Sequence, residues 1–211
     1  MPQHRRRDKP LRRRAPRRNE LPRFVIFCEG ELTEPLYLKA FAALDEVRGI
    51  ATLDIRGMGY EPRRLVEEAR AVKRSERGQA TGATEYWCVF DVEAPTQHAR
   101  LKEAVQMARD NGINVAISNP CFELWLVLHH AEHERWIDNE TCRGLLHEHD
   151  QSQGKRVDGA SYMPRRQQAI GRARRLAALH ASAGRELPND NPSSAVYRLL
   201  EAVDPDEDRD D

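Results

Sequence analysis

Short apolar runs alternate with helical patterns through the first 130 residues, and this alternation restricts the fold more than any other feature. The predicted strands cover residues 24–28, 50–56, 85–93 and 113–119. The predicted helices cover residues 35–48, 61–76, 96–112 and 120–130. The strands are apolar runs with β-branched or aromatic content, as expected of strands that are covered on both faces. The pattern therefore predicts an α/β fold, with a parallel sheet flanked by helices.

Beyond residue 131 the pattern becomes helical and more polar. A stretch rich in Gly and Ser at 151–164 predicts a loop, and a basic helix follows at 165–183. A last helix is predicted at 191–203, with Asn191 as its N-cap in "NPSS"; phosphate binding at that terminus is the alternative. The predicted organisation is a core at 23–131, a helical extension packed on it at 132–203, and tails at 1–22 and 204–211.

The two ends carry opposite charge although Lys and Arg together equal Asp and Glu at 34 each. The first tail is basic and includes Arg12, Arg13 and Arg14, whereas the last residues are almost wholly acidic. Both ends lack the apolar content that would offset the entropy of ordering, so we expect mobile tails. An arginine-rich tail favours nucleic acid through counterion release. A solubilising arm, or one that folds back on the acidic end, is the alternative.

The cysteines and the hydropathy pattern indicate the compartment. Cys28, Cys88, Cys121 and Cys142 form no CxxC pair, and three of them lie in apolar runs, where a free cysteine behaves as a small hydrophobe. The basic opening is followed by no long apolar stretch, so it does not resemble a secretory signal. No run approaches the roughly 20 apolar residues that span a bilayer. We therefore expect a soluble, cytoplasmic protein with reduced thiols and no membrane partner.

Acidic residues gather where the predicted strands end. Glu29 directly follows the first strand, and Asp91 and Glu93 end the third, where i, i+2 spacing in an extended chain places both side chains on one side. Glu31 and Glu34 lie in the next turn and helix start. Because the carboxyl ends of parallel strands share one edge, these carboxylates should converge. Their repulsion would raise pKa values or require a counter-ion, and Mg²⁺ prefers such oxygen ligands.

Simpler explanations exist for each acid. Glu31 and Glu34 stabilise a helix N-terminus without any metal, and Glu29 and Asp91 could be caps or surface ion pairs. Glu123 is the only charged residue in "CFELWLVL", so it should point at the polar mouth of the sheet. It is predicted to be a metal ligand or a group that orients one, and the alternative is an ordinary first-turn acid.

Basic residues supply the remaining candidates. The late helix carries several arginines without Glu at compensating i+4 positions, so phosphate binding and a solvated face are both open; they are Arg165, Arg166, Arg172, Arg174 and Arg175. Lys155 in "GKRVDG" is the candidate for a catalytic cation beside a bound phosphate, and a solvated loop lysine is the alternative. His129, His130 and His133 do not form HExxH, so zinc is not expected.

Four segments together resemble the RloB family, restriction-locus-linked proteins of bacterial and archaeal genomes. They are "CEGELTEPLYLKAF", "VFDVEAP", "ISNPCFELWLVLHH" and "NPSSAVYRLL", and the resemblance extends from about Phe24 to about Val203. The RloB family is similar in turn to Toprim domains, the metal-binding α/β fold of topoisomerases, primases and overcoming-lysogenization-defect nucleases. The resemblance therefore implies a Toprim-like sheet.

The Toprim pattern has a glutamate after its first strand and a DxD pair after its third. Glu29 matches the glutamate and Asp91 the first aspartate, while Glu93 stands where the second aspartate is expected. That departure keeps the charge but lengthens the side chain by one methylene. Glu34 matches an acid of the nuclease branch. The resemblance thus implies that Glu29, Asp91 and Glu93 hold metal. Glu34, together with the Glu123 predicted above, is expected to complete a second site.

The resemblance also implies a function. It points to a nuclease dependent on Mg²⁺, or on Mn²⁺ in its place, acting as the effector of an antiviral, abortive-infection system beside an ATPase encoded nearby. RNA such as tRNA is the implied target, and DNA is the alternative substrate. A homo-oligomer is compatible with the resemblance. No P-loop "GxxxxGK[ST]" is present, so nucleotide hydrolysis would come from the partner. Two alternatives remain open: a non-catalytic subunit that regulates an ATPase or senses nucleic acid, and a phosphotransfer enzyme acting on nucleotides.

Overall fold

A computed structural model describes residues 21–78, 83–150 and 157–205. In these residues, one sheet contains the strands in the order β2-β1-β3-β4-β5. The strands are β1 (Arg23–Cys28), β2 (Thr52–Gly57), β3 (Thr84–Asp91), β4 (Asn114–Asn119) and β5 (Ser193–Ser194). The first four are parallel, whereas β5 runs antiparallel to β4. The predicted α/β class and its four strands are confirmed, and β5 is an addition that the sequence pattern did not predict.

The helices follow the predicted alternation with shifted boundaries. They are α1 (Thr33–Ala42), α2 (Asp45–Arg48), α3 (Pro62–Ser75), α4 (Leu101–Asp110), α5 (Phe122–Val127), α6 (Asn139–His149), α7 (Gly159–Tyr162), α8 (Arg166–Ser182) and α9 (Val196–Val203), with a 3-10 turn at Met163–Arg165. The first predicted helix is divided into α1 and α2, and α4 begins five residues later than predicted. The predicted loop at 151–164 contains α7 and most of the 3-10 turn.

Each face of the sheet packs against its own apolar core, because alternate residues of a strand point to opposite faces. Phe24, Ile26 and Cys28 of β1 lie in a core with residues of α1, α5, α8 and α9. Val25 and Phe27 lie in the other core, which residues of α3 and α4 complete. The extension therefore contributes to the larger core through α8 and α9.

The predicted N-cap role of Asn191 is wrong. The chain after it forms β5, in which Ser194 pairs with Ser118, and α9 begins only at Val196. The buried Asn191 amide instead bonds both backbone groups of Ile137: its Oδ1 accepts from the N–H at 3.0 Å and its Nδ2 donates to the carbonyl at 2.8 Å. A side-chain amide has both a donor and an acceptor. It can therefore pair with the N–H and the carbonyl of one residue, as the backbone of a neighbouring strand would.

Other sequence predictions have simple outcomes. All four cysteines are free and buried, including the one that does not lie in an apolar run. Within the described part of the chain, no helix is long and apolar enough to cross a membrane. The predicted tails at 1–22 and 204–211 fall almost entirely outside the described residues, and so do Arg12, Arg13, Arg14 and Lys155.

Replacing Asn191 by Ala should lower the free energy of unfolding by about 2 kcal/mol, because two buried backbone groups of Ile137 lose their partners. Urea denaturation followed by circular dichroism measures the change. Asn189→Ala is the matched control, since Asn189 is exposed two residues away. Equal midpoints for the two variants would contradict the structural role of the Asn191 amide.

Candidate metal centre

A cavity of about 410 Å³ opens where the parallel strands end. It is bounded by the ends of β1, β2 and β3 with the segments that follow them, by the first turns of α1 and α5, and by Arg143 of α6. The predicted metal ligands all line it: Glu29, Glu34, Asp91, Glu93 and Glu123. We call it the carboxylate cavity. These acids therefore lie together at one edge of the sheet, as the sequence predicted.

Glu29 and Asp91 are joined across the β1–β3 pair. Strand pairing continues one residue past β1, since the Glu29 N–H donates to the Val89 carbonyl at 2.9 Å. The Glu29 carboxylate then turns towards β3, where its Oε2 accepts from the backbone N–H of Asp91 at 3.0 Å. The two acids are thus neighbours in space although they are far apart in the chain.

Asp91 has the most perturbed environment in the cavity. Burial raises the pKa of its carboxyl well above the usual value, and the charges of Glu34, Glu123 and Glu29 raise it further. One opposing contact is a hydrogen bond from the backbone N–H of Phe122, which favours the ionised form. A carboxylate held among other carboxylates is a candidate for binding a cation.

Glu34 is almost completely buried in the first turn of α1. Its Oε1 accepts from the Gly30 N–H at 3.1 Å, and a Cβ on residue 30 would collide with the same carboxylate. Burial raises the pKa of Glu34, and the charges of Glu123 and Glu29 add to the effect. Helix capping alone does not account for this placement, since an exposed acid would stabilise the N-terminus without burial.

Glu93 reaches the cavity by a different route from the predicted one. The strand ends at Asp91, and Glu93 has a φ of 69°, in the left-handed region that residues with a Cβ seldom adopt. The predicted extended i, i+2 geometry is therefore wrong. Backbone hydrogen bonds to the end of β4 and the residues after it hold the turn. The Val92 N–H donates to the Ser118 carbonyl and the Glu93 N–H to the Pro120 carbonyl, both at 2.9 Å. Such backbone strain is concentrated at functional sites. Burial also raises the pKa of Glu93.

Glu123 lies in the first turn of α5, with Arg143 of α6 as its neighbour. The Arg143 Nε is 3.4 Å from Glu123 Oε1, and the arginine side chain is more than half exposed. Arg143 is the only arginine or lysine among the described residues that line the carboxylate cavity. Sequence reasoning missed it, because no spacing pattern links an arginine on α6 to the strand ends.

His98 is a second residue that sequence reasoning missed. Its Nε2 lies 2.9 Å from Glu29 Oε1, at ion-pair distance but outside hydrogen-bond geometry. The contact with Glu29 raises the pKa of His98, and Glu93 adds to this. We predicted that residue 98 belongs to the helix at 96–112, whereas it lies in the loop before α4. An imidazole there can hold or release a proton beside the carboxylates.

The donor set fits a hard divalent cation, which prefers carboxylate oxygens. Seven carboxylates line the cavity, because Glu31 and Glu61 join the five predicted ligands. Burial and mutual repulsion raise the pKa of Glu34, Asp91 and Glu93. Within the ranges described, however, no three His, Cys, Asp or Glu side chains already stand in metal-binding geometry. The carboxylates are gathered, and they would have to reorient to share a metal.

The arginines of the basic helix have partners from other elements. Arg166 contacts Glu46 at 3.0 Å, Arg174 contacts Glu201 at 2.8 Å, and Arg175 pairs with Glu132. Arg172 donates to the Leu128 carbonyl at 2.6 Å, and Arg165 is exposed. Acids distant in sequence thus compensate charges for which the helix has no i+4 partner. Nucleic-acid binding by Arg165, Arg166, Arg172 and Arg175 stays a prediction.

Comparison with known proteins identifies the family. A protein-family model described as RloB-like protein matches residues 24–203. No curated protein and no solved structure matches the chain. The family match confirms the resemblance noted in the sequence, and it covers both the sheet and the helices that follow it.

Asp91→Asn should stabilise the metal-free protein at neutral pH by about 1 kcal/mol, or roughly 2–4 °C in Tm. The raised pKa means that the folded state binds the proton more tightly than the unfolded state. Stability at this site is therefore lost as pH rises from about 4 through the folded-state pKa. Asn does not titrate, so the advantage of the variant should grow over that interval.

Thermal denaturation in EDTA from pH 4 to 8 measures this effect. Glu148→Gln removes an exposed carboxylate of α6 and is the control. A constant difference between Asp91→Asn and the unaltered protein across this range would show that repulsion at Asp91 is unimportant.

Proposed function

We propose that this chain, which belongs to the RloB-like family, is a metal-dependent nuclease that hydrolyses phosphodiester bonds. The observation that carries the proposal is the group of buried and half-buried carboxylates at the ends of neighbouring parallel strands. Glu29 and Asp91 are joined there by a 3.0 Å hydrogen bond, and the pKa of Asp91 is raised. Buried acids that repel one another destabilise a fold. A catalytic cation bound between them would offset this repulsion and explain why the acids are present.

In this proposal Glu29, Asp91 and Glu93 hold one Mg²⁺ or Mn²⁺, and Glu34 and Glu123 complete a second site. Bound metal would supply an activated water and neutralise charge on the phosphate. The Gly30 N–H donates to Glu34 and holds its carboxylate in place. Glu34 would therefore be oriented for metal binding before the metal arrives. His98, whose Nε2 is 2.9 Å from Glu29 Oε1, would hold a proton at Nε2 and would donate it to the leaving oxygen as a general acid.

The cellular role follows from the family resemblance alone. We propose an effector subunit of a prokaryotic antiviral system, working with an ATPase encoded nearby. Nucleic acid, with RNA such as tRNA foremost, is the proposed target. The exposed Arg165 and the basic residues 1–22 are the candidates for contacting its phosphates.

A second candidate function is a non-catalytic subunit that regulates the ATPase or senses nucleic acid. One observation favours it: among the described residues, no three potential ligands are preassembled for a metal. Both functions accommodate nucleic-acid binding. Only the nuclease requires metal-dependent turnover that fails when Glu29 or Asp91 is altered.

The nuclease is tested with end-labelled tRNA and duplex DNA in Mg²⁺, Mn²⁺ or EDTA, with and without the co-encoded ATPase. We expect cleavage with metal only, and a loss of at least about 100-fold in Glu29→Gln and in Asp91→Asn. Glu148→Gln should keep full activity. Cleavage that persists in both cavity variants would exclude the carboxylate cavity as the active site.

Metal binding is measured separately by thermal shift, which needs no partner or substrate. A cation at 100 times its Kd adds about 2.7 kcal/mol of stability, so Mn²⁺ should raise Tm by several degrees. The shift should disappear in Asp91→Asn. A metal-dependent shift without any cleavage, even with the ATPase present, would favour the regulatory function.

Arg143 is expected to contact the substrate phosphate, because it is the one arginine or lysine in the described lining of the carboxylate cavity. Arg143→Ala should lower kcat/KM about 100-fold, as removal of a charge-stabilising donor does. Tm should change little, since the Arg143 side chain is more than half exposed and its Nε lies 3.4 Å from Glu123.

Arg143→Lys should restore part of the activity, because the positive charge returns. Arg135→Ala removes an exposed arginine outside the cavity and is the control. Equal kcat/KM values for Arg143→Ala and Arg135→Ala would exclude a role of Arg143 in catalysis.

A further inference from the structure

Arg64 lies over the ring of Tyr60 at the edge of the carboxylate cavity. Tyr60 follows β2 and lines the cavity. Arg64 is in the first turn of α3, and the central carbon of its guanidinium group (Cζ) is 3.8 Å from the centre of the Tyr60 ring. At this distance the face of the ring attracts the cation, as in other stacked arginine–aromatic pairs. We call this pair the Tyr60–Arg64 stack.

Stacking positions Arg64 without using its hydrogen-bond donors. A guanidinium has five N–H donors in its plane, so a ring against its face leaves them all available. Within the described residues none of these donors has a hydrogen-bond or ion-pair partner, although Glu61 and Glu68 are only one helical turn away. The Arg64 side chain is also exposed. It is therefore held in place and accessible to an anion from solvent.

Neighbouring arginines differ from Arg64 in this respect. The Nη1 of Arg63 is 3.0 Å from Glu67, and its Nε is 3.3 Å from Glu103. Arg143, on the other side of the cavity, is likewise close to a carboxylate. These arginines are paired with acids, whereas the described part of the chain supplies no carboxylate to Arg64. Arg64 thus has the most binding capacity left for an external anion.

The charge of the carboxylate cavity indicates which anion this is. Seven carboxylates line the cavity, so a polyanion that approaches it is repelled unless cations at its edge or a bound metal offset that charge. In the proposed nuclease a nucleic-acid strand passes over the cavity, and the phosphates that flank the cleaved bond lie near its edge. A guanidinium suits such a phosphate, because two of its N–H groups can bind two phosphate oxygens at once.

We propose that the Tyr60–Arg64 stack binds a backbone phosphate of the nucleic-acid substrate, next to the phosphodiester bond that is cleaved. The identity of this ligand rests on the proposed nuclease function. Arg64 holds the strand and does not contact the reacting atoms, and Tyr60 orients Arg64. Because the ligand is a phosphate, the contact does not distinguish one base from another or RNA from DNA.

Fluorescence anisotropy with the full chain in EDTA tests the contact in the absence of cleavage. The probes are fluorescein-labelled oligonucleotides of uridine and of deoxythymidine. Arg64→Ala should weaken the binding of both about tenfold at low salt, as the loss of one charge-assisted contact does. In a series of KCl concentrations it should also reduce the slope of log K against log salt by about 0.7, because one phosphate contact is lost.

Arg74→Ala is the matched control, since Arg74 is an exposed arginine at the other end of α3 and does not line the cavity. It should leave the affinity and the slope nearly unchanged. Equal affinities for Arg64→Ala and Arg74→Ala would overturn the proposal. A loss with only one of the two oligonucleotides would also overturn it, and so would a failure of the unaltered chain to bind either.

Tyr60→Leu tests the role of the ring. Leu keeps an apolar side chain where Tyr60 packs against the core beneath α3 and α4, but it cannot stack on a guanidinium. The affinity should fall about threefold, the size of one exposed cation–π contact, and Tyr60→Phe should restore it. Combined with Arg64→Ala, Tyr60→Leu should cause no further loss. Additive losses would overturn the stack; if circular dichroism shows that the Leu variant is unfolded, the arginine pair decides.

Cleavage assays separate this inference from the nuclease proposal. Arg64→Ala should raise KM about tenfold and change kcat less than about twofold, because a contact made equally in substrate and transition state affects KM alone. A fall in kcat at constant KM would overturn the binding role. If the chain does not cleave but Arg64→Ala weakens binding in EDTA, the phosphate contact is supported and the nuclease is not. If the chain cleaves and both arginine variants bind equally, the reverse holds.

Discussion

The parallel pairing of β1 with β3 places the Glu29 carboxylate against the backbone N–H of Asp91, and the candidate site depends on this contact. In register, Cys28 lies beside Val89, so the first residue past β1 arrives next to the last residues of β3. Both strands are buried between two apolar cores. The packing of those cores therefore holds the strand ends together, although the carboxylates at these ends repel one another.

The sequence predicted the sheet and most of the site for the same reason. A doubly covered strand is a short apolar run, which can be recognised without knowing its neighbours. Once four such runs alternate with helices, parallel pairing follows, and the acids after each strand must share an edge. Glu29, Asp91 and Glu123 could be found in this way, because each directly adjoins an apolar run.

What the sequence did not predict depends on contacts between distant segments. Two residues, Ser193 and Ser194, are too few to show any periodicity, and β5 exists only because β4 offers an edge to pair with. Arg143 and His98 reach the acids from α6 and from a loop. Glu93 lies in the cavity, but its left-handed φ breaks the strand alternation from which we predicted its direction.

The raised pKa values reconcile a buried acidic cluster with a stable fold. A protonated carboxyl repels no neighbour, so Glu34, Asp91 and Glu93 can be tolerated without a cation by retaining protons to higher pH than usual. A divalent cation would have to displace those protons, and its affinity would rise with pH. The same coupling explains why the side chains need not be preassembled: in the cation-free protein, closer approach of ionised ligands would increase their repulsion.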